Sequence, residues 1–295
     1  MHDAAYYIQL LLSGITVGSL YALIAIGYTM VYGILRLINF AHGDIFMMAG
    51  FFMVYMSASM PMTVALPLVL ILTTILGVVI EKAAYSPLRS APRMSVMISA
   101  IGVSYLLQNL ATYITGGIAR PYPDIPFLTQ VMQVGDLSIK RITVITPILT
   151  IVLVVILVIL IQKTKIGMAM RAVSRDFETS QLMGIKINSV ISMTFAIGSF
   201  LAGVASVLYF ANYGQVSPMI GAMPGLKAFV AAVFGGIGSI PGAVIGAFII
   251  GICESFIKSS EAIAIFSNAF TFALLIFILL CKPNGLFGEK LTEKV

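Results

Sequence analysis

The chain has 295 residues, of which 60% are hydrophobic and 9% are charged, whereas soluble domains carry roughly 25% charged residues. This composition excludes an ordinary soluble protein and indicates a single membrane domain over residues 1–295. The net charge of +6 does not indicate a nucleic-acid partner, because the basic residues lie between hydrophobic spans, where they mark cytoplasmic loops.

The first hydrophobic span covers residues 7–32 and is not preceded by a positively charged region, so we do not expect a cleaved signal peptide. The next stretch, residues 35–52, places polar residues in an apolar context. It is either part of a transport path or a short turn among lipid headgroups, and Asn39 or Asp44 could cap the helix that follows. The candidate pathway residues here are Asn39, His42, Gly43 and Asp44.

The middle of the chain alternates spans and loops. Spans at 62–81 and 95–114 flank a basic loop that is predicted to be cytoplasmic. The proline-containing segment 115–141 has nearly balanced charge and is placed outside, as is the N-terminus. A fifth span, 142–161, leads to the most charged part of the chain.

That charged part, residues 162–188, carries five Lys/Arg and two acidic residues and should face the cytoplasm. We predict short helices lying against the inner membrane face. Arg171 and Arg175 share a helix face, and Asp176 lies early in a second helix, where the helix dipole favours an acid. Gly184 suits the end of that helix. Spacing alone leaves two interpretations open, a docking surface for a soluble partner and an ordinary solvated loop.

The last part of the chain contains a second interruption. A sixth span, 189–210, and an outside loop, 212–224, precede the stretch 225–256. Its GGIGSIPG sequence cannot form a regular helix interior, so we predict two short helices joined by an irregular break. The C-terminus is inside if this stretch enters and leaves on one side, and outside if it makes one kinked crossing. A span at 263–280 and a charged tail follow. The candidate pathway residues here are Gly235, Gly236, Gly238, Pro241 and Gly242.

Both interruptions come just before a short apolar helix, one in each half of the chain. Interrupted hydrophobic segments in corresponding places of two halves are a sequence sign of a transport path. We therefore predict an all-α polytopic integral membrane protein with about eight transmembrane helices, including broken or re-entrant segments. Its halves should resemble an inverted repeat, with both breaks near the central axis.

No catalytic or metal site is predicted. The histidines are His2 and His42, and no Gly-x-x-x-x-Gly-Lys-Ser/Thr loop is present, so ATP would have to be hydrolysed by another chain. The two cysteines, Cys253 and Cys281, are predicted to be small buried hydrophobic residues.

Ionisable residues in apolar segments are functional candidates. Asp44 is the best of them for a pathway. Glu81 is predicted to be interfacial beside Lys82, and Glu254 is predicted to pair with Lys258, four residues further along the same helix.

Five segments form a set of motifs that covers nearly the whole chain. They are GSLYALIAIGYTMVYGILRLINFAHGD at 18–44, IEKAAYSPLR at 80–89, ISAIGVSYLLQN at 98–109, IGMAMRAVSRDFETSQLMGI at 166–185 and VFGGIGSIPGAVIGA at 233–247. Together they resemble the LivH-like permease subunits of high-affinity branched-chain amino acid ABC importers.

The resemblance implies that residues 162–188 fit a groove on an ATPase subunit. It also implies two such ATPases, which bind ATP and Mg, so no cofactor is expected in this chain. The other implied partners are a second permease, either LivM-like or a second copy, and a periplasmic or extracellular binding protein. The coupling residues are Gly167, Arg171, Ala172, Arg175, Asp176, Ser180 and Gly184, with Ser180 standing where the family usually has Ala.

The leading interpretation is therefore a non-enzymatic permease subunit in a bacterial inner membrane. It would pass branched-chain or other apolar amino acids that an external binding protein delivers. The alternatives are an ABC permease for urea or short amides, an ion-coupled secondary transporter that uses Asp44, and a channel for a small neutral solute.

Overall fold

The computed structural model describes residues 4–89, 91–134 and 137–288. The helices in this part of the chain are α1 (Ala4–Leu35), α2 (His42–Ser57), α3 (Met62–Ile80), α4 (Arg93–Thr115), α5 (Pro126–Thr129), α6 (Arg141–Lys163), α7 (Lys165–Arg175), α8 (Phe177–Leu182), α9 (Ile187–Tyr213), α10 (Ala222–Gly235), α11 (Ile240–Lys258) and α12 (Ser267–Cys281). The short strands are β1 (Arg120–Pro121), β2 (Val131–Val134), β3 (Leu137–Lys140) and β4 (Gln215–Val216).

Seven of the described helices are long and apolar enough to cross a membrane, namely α1, α3, α4, α6, α9, α11 and α12. The helices α2 and α10, with 16 and 14 residues, are shorter. This architecture confirms the predicted all-α polytopic membrane fold. Most spans extend a few residues beyond their predicted ends, because helical hydrogen bonding continues into the flanking polar residues.

The core of the molecule lies around α1 and α9. About two-thirds (67%) of the most apolar window of each is buried within the chain, against 17% for α6 and α12. The apolar side chains of the outer helices instead face outward, where lipid would surround them. Cys253 and Cys281 are also exposed on these outer surfaces, so the prediction that they are buried was wrong.

The two ends of the molecule differ. At one end β1 pairs with β4, and the β2–β3 hairpin lies beside the first turns of α1, where Gln9 and Ser138 line one groove. At the opposite end Leu35 of α1 and Phe177 of α8 line one cavity. The chain therefore begins at the end opposite the basic segments, as the predicted outside location of the N-terminus requires.

The helices α10 and α11 form an antiparallel hairpin. Gly235 at the end of α10 contacts Gly242 at the start of α11, and Ala231 contacts Gly246 one turn further along. Residues 222–258 therefore enter and leave on the same side, which is the arrangement that puts the C-terminus inside. The second helix of the pair is longer than predicted, with 19 residues.

The chain after α12 returns to the turn between α10 and α11. The N–H groups of Leu286 and Phe287 donate to the carbonyl oxygens of Phe234 and Gly235 at 3.0 and 2.9 Å. This segment thus covers the end of α10 with backbone hydrogen bonds. His2 and the charged residues 289–295 of the predicted tail lie outside the described residues.

Candidate transport path and ATPase-docking segment

The first break separates α1 from α2. Arg36 adopts a left-handed conformation (φ 55°) after the last turn of α1, and the chain then turns back into the protein. Asn39, His42 and Asp44 are only 2%, 1% and 2% exposed. Side chains this deeply buried in protein do not form a turn among lipid headgroups, so that alternative was wrong.

The polar side chains of this break bind neighbouring helices. The Asn39 amide oxygen accepts from the Tyr85 hydroxyl at 2.6 Å. The Asp44 carboxylate accepts from Ser104 and Gln108 of α4 at 2.5 and 3.0 Å. Each buried acceptor is thereby satisfied by a donor from another part of the chain.

Neither Asn39 nor Asp44 caps α2. The N-cap position is Ala41, which has no side-chain hydrogen bond, and Asp44 lies inside the first turn. Both side chains are engaged elsewhere, so the capping prediction was wrong. The carboxylate of Asp44 still lies where the dipole of α2 favours negative charge.

The start of α2 fits closely against two other helices. His42 packs edge-on to Tyr28, with ring centroids 4.9 Å apart, and contacts Gly27, where a side chain would overlap the imidazole. Gly43 meets Gly221 and Gly225 at the start of α10. The first turns of the two short helices therefore touch each other inside the protein.

The second break is shorter than predicted. Only residues 236–239 are irregular, because Pro241 and Gly242 already belong to the first turn of α11. Gly236 and Gly238 have φ values of 109° and 99°, which glycine adopts readily. The Ser239 hydroxyl caps α11 by accepting from the Gly242 N–H at 3.2 Å.

The two breaks differ in exposure. Gly235, Gly236 and Gly242 are buried by close backbone contacts, whereas Gly238 and Pro241 are exposed at the surface. The two short helices that meet near the first break are α2 and α10, rather than α2 and α11. The internal correspondence in the sequence did not indicate this contact between α2 and α10.

The segment 162–188 contains the two predicted short helices. Thr164 caps α7 by accepting from the Gly167 N–H at 3.1 Å, and Asp176 caps α8 by accepting from the Thr179 N–H at 3.1 Å. Gly184 ends the second helix with a φ of 82°. The sequence signal for both caps is a Thr or Asp immediately before each helix.

The proposed coupling residues divide by exposure. Arg171, Arg175, Asp176 and Gly184 are exposed, and Ala172 is partly exposed. Gly167 packs against the backbone at the end of α6, and Ser180 is buried. The last two are therefore placed to shape the segment, whereas the others are accessible on its surface.

Sequence analysis missed two apolar residues at the end of α8. Leu182 and Met183 are 87% and 79% exposed, although both are large and hydrophobic. The sequence does contain a signal for this site, because the two apolar residues directly precede Gly184, which ends a short charged helix. Exposed apolar residues at such a site are suited to insertion into a partner.

Comparison with known proteins places the chain in a family. The family model described as the branched-chain amino acid transport system permease component matches residues 10–279. The chain belongs to this family. No solved structure gives a significant match to this permease.

The curated relatives match the permease over almost its full length. The branched-chain amino acid permease protein LivH of Escherichia coli K12 is 40% identical over 98% of both chains, and its counterpart in Salmonella typhimurium is 39% identical over the same share. BraD of Pseudomonas aeruginosa is 38% identical over 100% of both chains. The resemblance found in the motifs is thus confirmed.

Two buried ionic clusters complete the description of the permease. Glu81 binds Arg89 and is fully buried within the protein, whereas its neighbour Lys82 is exposed. Its carboxylate also accepts from the Ser192 hydroxyl at 2.7 Å. Burial of a carboxylate is tolerated here because both oxygens have charged or polar partners.

Glu254 is paired with Lys258 at 2.6 Å, as predicted, but it also has two partners that the sequence did not indicate. Lys227 of α10 donates to it at 2.6 Å and Tyr21 of α1 at 2.9 Å. The cluster therefore joins α1, α10 and α11. Its members are distant in sequence, so spacing on one helix could reveal only the i,i+4 pair.

Proposed function

We propose that this chain is the membrane-spanning permease subunit of an ATP-driven importer. Its cargo would be branched-chain or other apolar amino acids, delivered by a periplasmic or extracellular binding protein. The observation that carries the proposal is the family match over residues 10–279, together with full-length relatives named for this transport.

The proposed assembly contains two ABC ATPases and a second permease, either a LivM-like chain or a second copy of this one. ATP and Mg would bind to the ATPases. The proposed location is a bacterial inner membrane, which the seven long apolar helices and the inner-face basic segments support.

The geometry of residues 162–188 supports ATPase docking. The helix α7 carries the exposed Arg171 and Arg175, and Leu182 and Met183 are exposed at the end of α8, the helix that follows. A charged rim around exposed apolar residues is the usual composition of a protein–protein contact. The buried Gly167 anchors this segment to the membrane domain.

The buried polar break before α2 supports a transport path near α2 and α10. The first turns of both short helices meet there, and helix N-termini attract negatively charged groups such as a carboxylate. We propose Asn39, His42, Gly43 and Asp44 as residues that border the path. Gly235, Gly236, Gly238, Pro241 and Gly242 would form the turn on its inner side.

Transport in proteoliposomes tests the function. The permease is reconstituted with its ATPases and second permease, and uptake of radiolabelled leucine is measured with the binding protein present. Uptake should require ATP and survive a protonophore. Uptake abolished by the protonophore would indicate an ion-coupled transporter, and leucine flux without nucleotide would indicate a channel. ATP-driven uptake of urea in place of leucine would change the substrate.

A charge reversal tests docking. Arg171→Glu should reduce ATP-driven uptake by about tenfold or more, because it places a like charge or an unpaired charge in a protein contact. Membrane insertion should be unchanged, since Arg171 is exposed and its side chain is held, among the described residues, by one hydrogen bond to the Gln162 carbonyl at 3.2 Å. Uptake and co-purification of the ATPases are both measured.

The matched control is Arg120→Glu at the opposite end of the molecule. Arg120 is also exposed and also donates to a nearby carbonyl oxygen, that of Thr115 at 3.3 Å. This variant should keep its ATPases. Normal uptake and normal ATPase retention in Arg171→Glu would contradict the docking role.

A further inference from the structure

The motif IEKAAYSPLR at residues 80–89 has no role in the function proposed so far. Its residues Glu81–Tyr85 form a π-helical turn at the end of α3. Such turns are rare and occur frequently at functional sites. Glu81 and Tyr85 both point into the protein and are buried, whereas Lys82 between them is exposed.

On one side, this turn is joined by hydrogen bonds to the start of α9, where the docking segment ends. Arg89 donates to Glu81 and to Asn188, the second residue of α9. Ser192, one turn further along α9, donates to the other oxygen of Glu81. Because α9 begins directly after residues 162–186, a displacement of that segment acts on these bonds first.

On its other side, the turn is joined by a hydrogen bond to the break before α2. The Tyr85 hydroxyl donates to the Asn39 amide oxygen at 2.6 Å, inside the protein. The Tyr85 ring also packs on Phe195 of α9, with centroids 5.2 Å apart. Tyr85 therefore contacts both the helix that follows the docking segment and the break.

An open cavity of about 850 Å³ separates the docking segment from the break. Phe177, Gln181 and Gly184 line one side, and Leu35 and Leu37 line the other. A movement of the docking segment can reach the break along the wall of this cavity. Tyr85 and Arg89 are part of that wall.

We propose that Glu81, Tyr85 and Arg89 are positioning residues that transmit movement of the ATPase-docking segment to the break before α2. The inference rests on the proposed function, since it names the residues through which movement driven by the ATPases reaches the break. Glu81 is fully buried, and both its bond from Ser192 and the bond between Arg89 and Asn188 are lost if the start of α9 moves alone. The π turn therefore moves with α9, and Tyr85 carries Asn39 with it.

A second route through the fold competes with this one. α7 packs directly on α1 and α9 through buried apolar residues, including Met170 and Val173. Movement along that route would not need the Tyr85 hydroxyl. The two routes therefore make opposite predictions for the variant Tyr85→Phe, which removes one oxygen atom and preserves the ring.

The experiment measures leucine molecules imported per ATP hydrolysed in proteoliposomes that contain the complete complex. Tyr85→Phe and Asn39→Ala should each lower this ratio roughly three- to tenfold, the effect of losing one buried hydrogen bond. The double variant should be no worse than either single variant, because both changes remove the same bond. Arg89→Lys, which keeps the charge but loses the forked donor, should also lower the ratio.

The matched control is Tyr105→Phe, since Tyr105 lies exposed on α4 and its ring faces outward. Its ratio should equal that of the wild type. A wild-type ratio in Tyr85→Phe would overturn the inference and favour the α7 route, as would a parallel fall of uptake and ATP hydrolysis at constant ratio. Multiplying effects in the double variant would overturn it as well. Wild-type vesicles without ATP-driven uptake would instead overturn the proposed function, so the two failures are distinguishable.

Discussion

At the break before α2, polar side chains bind other helices in addition to the backbone contacts of Gly43, whereas the break before α11 is held mainly by backbone contacts. In the first, Asn39 and Asp44 bind groups on other helices at 2.5–3.0 Å. In the second, Gly235 and Gly242 bring two backbones into contact, and the C-terminal segment adds two backbone hydrogen bonds. The same interruption of a hydrophobic helix is thus stabilised by two different kinds of interaction.

This difference indicates which break can move. Side-chain hydrogen bonds can exchange for bonds to water or substrate without unpacking a helix. Close backbone packing has no such substitute, since separating the helices would leave voids and unpaired carbonyl groups. We therefore expect the segment that holds Asn39 to rearrange during transport, and the close glycine contacts at Gly43 and in the second break to stay fixed.

The largest expected effect is on the second break. Gly236→Ala should destabilise the protein severely, because the strained φ of 109° is combined with a clash against the Gly288 backbone. Gly238→Ala carries a similar φ of 99° but meets open space, so its cost should be limited to about 1–3 kcal/mol of backbone strain. Thermal unfolding in detergent measures both variants. Equal unfolding temperatures would show that packing around the turn is not the source of its rigidity.

A smaller effect is expected at the first break. Asp44→Ala removes the acceptor of the Ser104 hydroxyl and one of two acceptors of the Gln108 amide, which still donates to Ser104, and should cost about 1–3 kcal/mol in total. Asp44→Asn keeps one acceptor oxygen and should cost less. Thermal unfolding gives the stability, and uptake assays give the transport activity.

The Asp44→Asn variant also separates two functions. An ion-coupled transporter that uses this carboxylate would lose uptake altogether, because an amide cannot release a proton. An ATP-driven permease should retain uptake that depends on ATP and resists a protonophore. Complete loss of uptake in a stable Asp44→Asn protein, together with wild-type uptake that a protonophore abolishes, would therefore count against the ATP-driven function.

The sequence revealed the interruptions but not the partners of their polar residues. Hydrophobic length located the spans, and Gly, Pro and buried charge located both breaks. Asn39 is 46 residues from Tyr85 and Asp44 is 60 residues from Ser104, so those bonds depend on how the helices pack. Without that packing, capping by Asn39 or Asp44 was an equally reasonable prediction.

The same limit explains why the partner of Glu81 and the contact between α2 and α10 were not predicted. Glu81 lies next to Lys82 in sequence, but its partner Arg89 is reached through a π-helical turn that periodicity does not indicate. A short helix before the second break was predicted, but its packing on α2 was not. Contact between Gly43 and Gly225 became visible only in three dimensions.

The smallest expected effect is a change in how fast a thiol reagent reaches each break. It tests most directly whether the first break moves and the second stays fixed. The exposed Cys253 and Cys281 are first replaced by Ser, and single cysteines are introduced as Asn39→Cys or Pro241→Cys. Pro241 is exposed, so its position should react with a water-soluble thiol reagent at the same rate with and without ATP. Asn39 is 2% exposed, so its position should react slowly at rest and several-fold faster during ATP turnover.

Turnover must be the cause of the faster reaction at residue 39. Vanadate blocks ATP hydrolysis, so with ATP and vanadate the cysteine at residue 39 should react at one constant rate that is characteristic of the blocked state. Omission of the binding protein should reduce the acceleration that ATP causes. A constant rate at residue 39 and a variable rate at residue 241 would reverse the assignment of mobile and fixed breaks. If positions 39–44 and 235–242 remained unreactive in every state, neither break would border a water-filled path, because residues that face such a path must meet the reagent in at least one state.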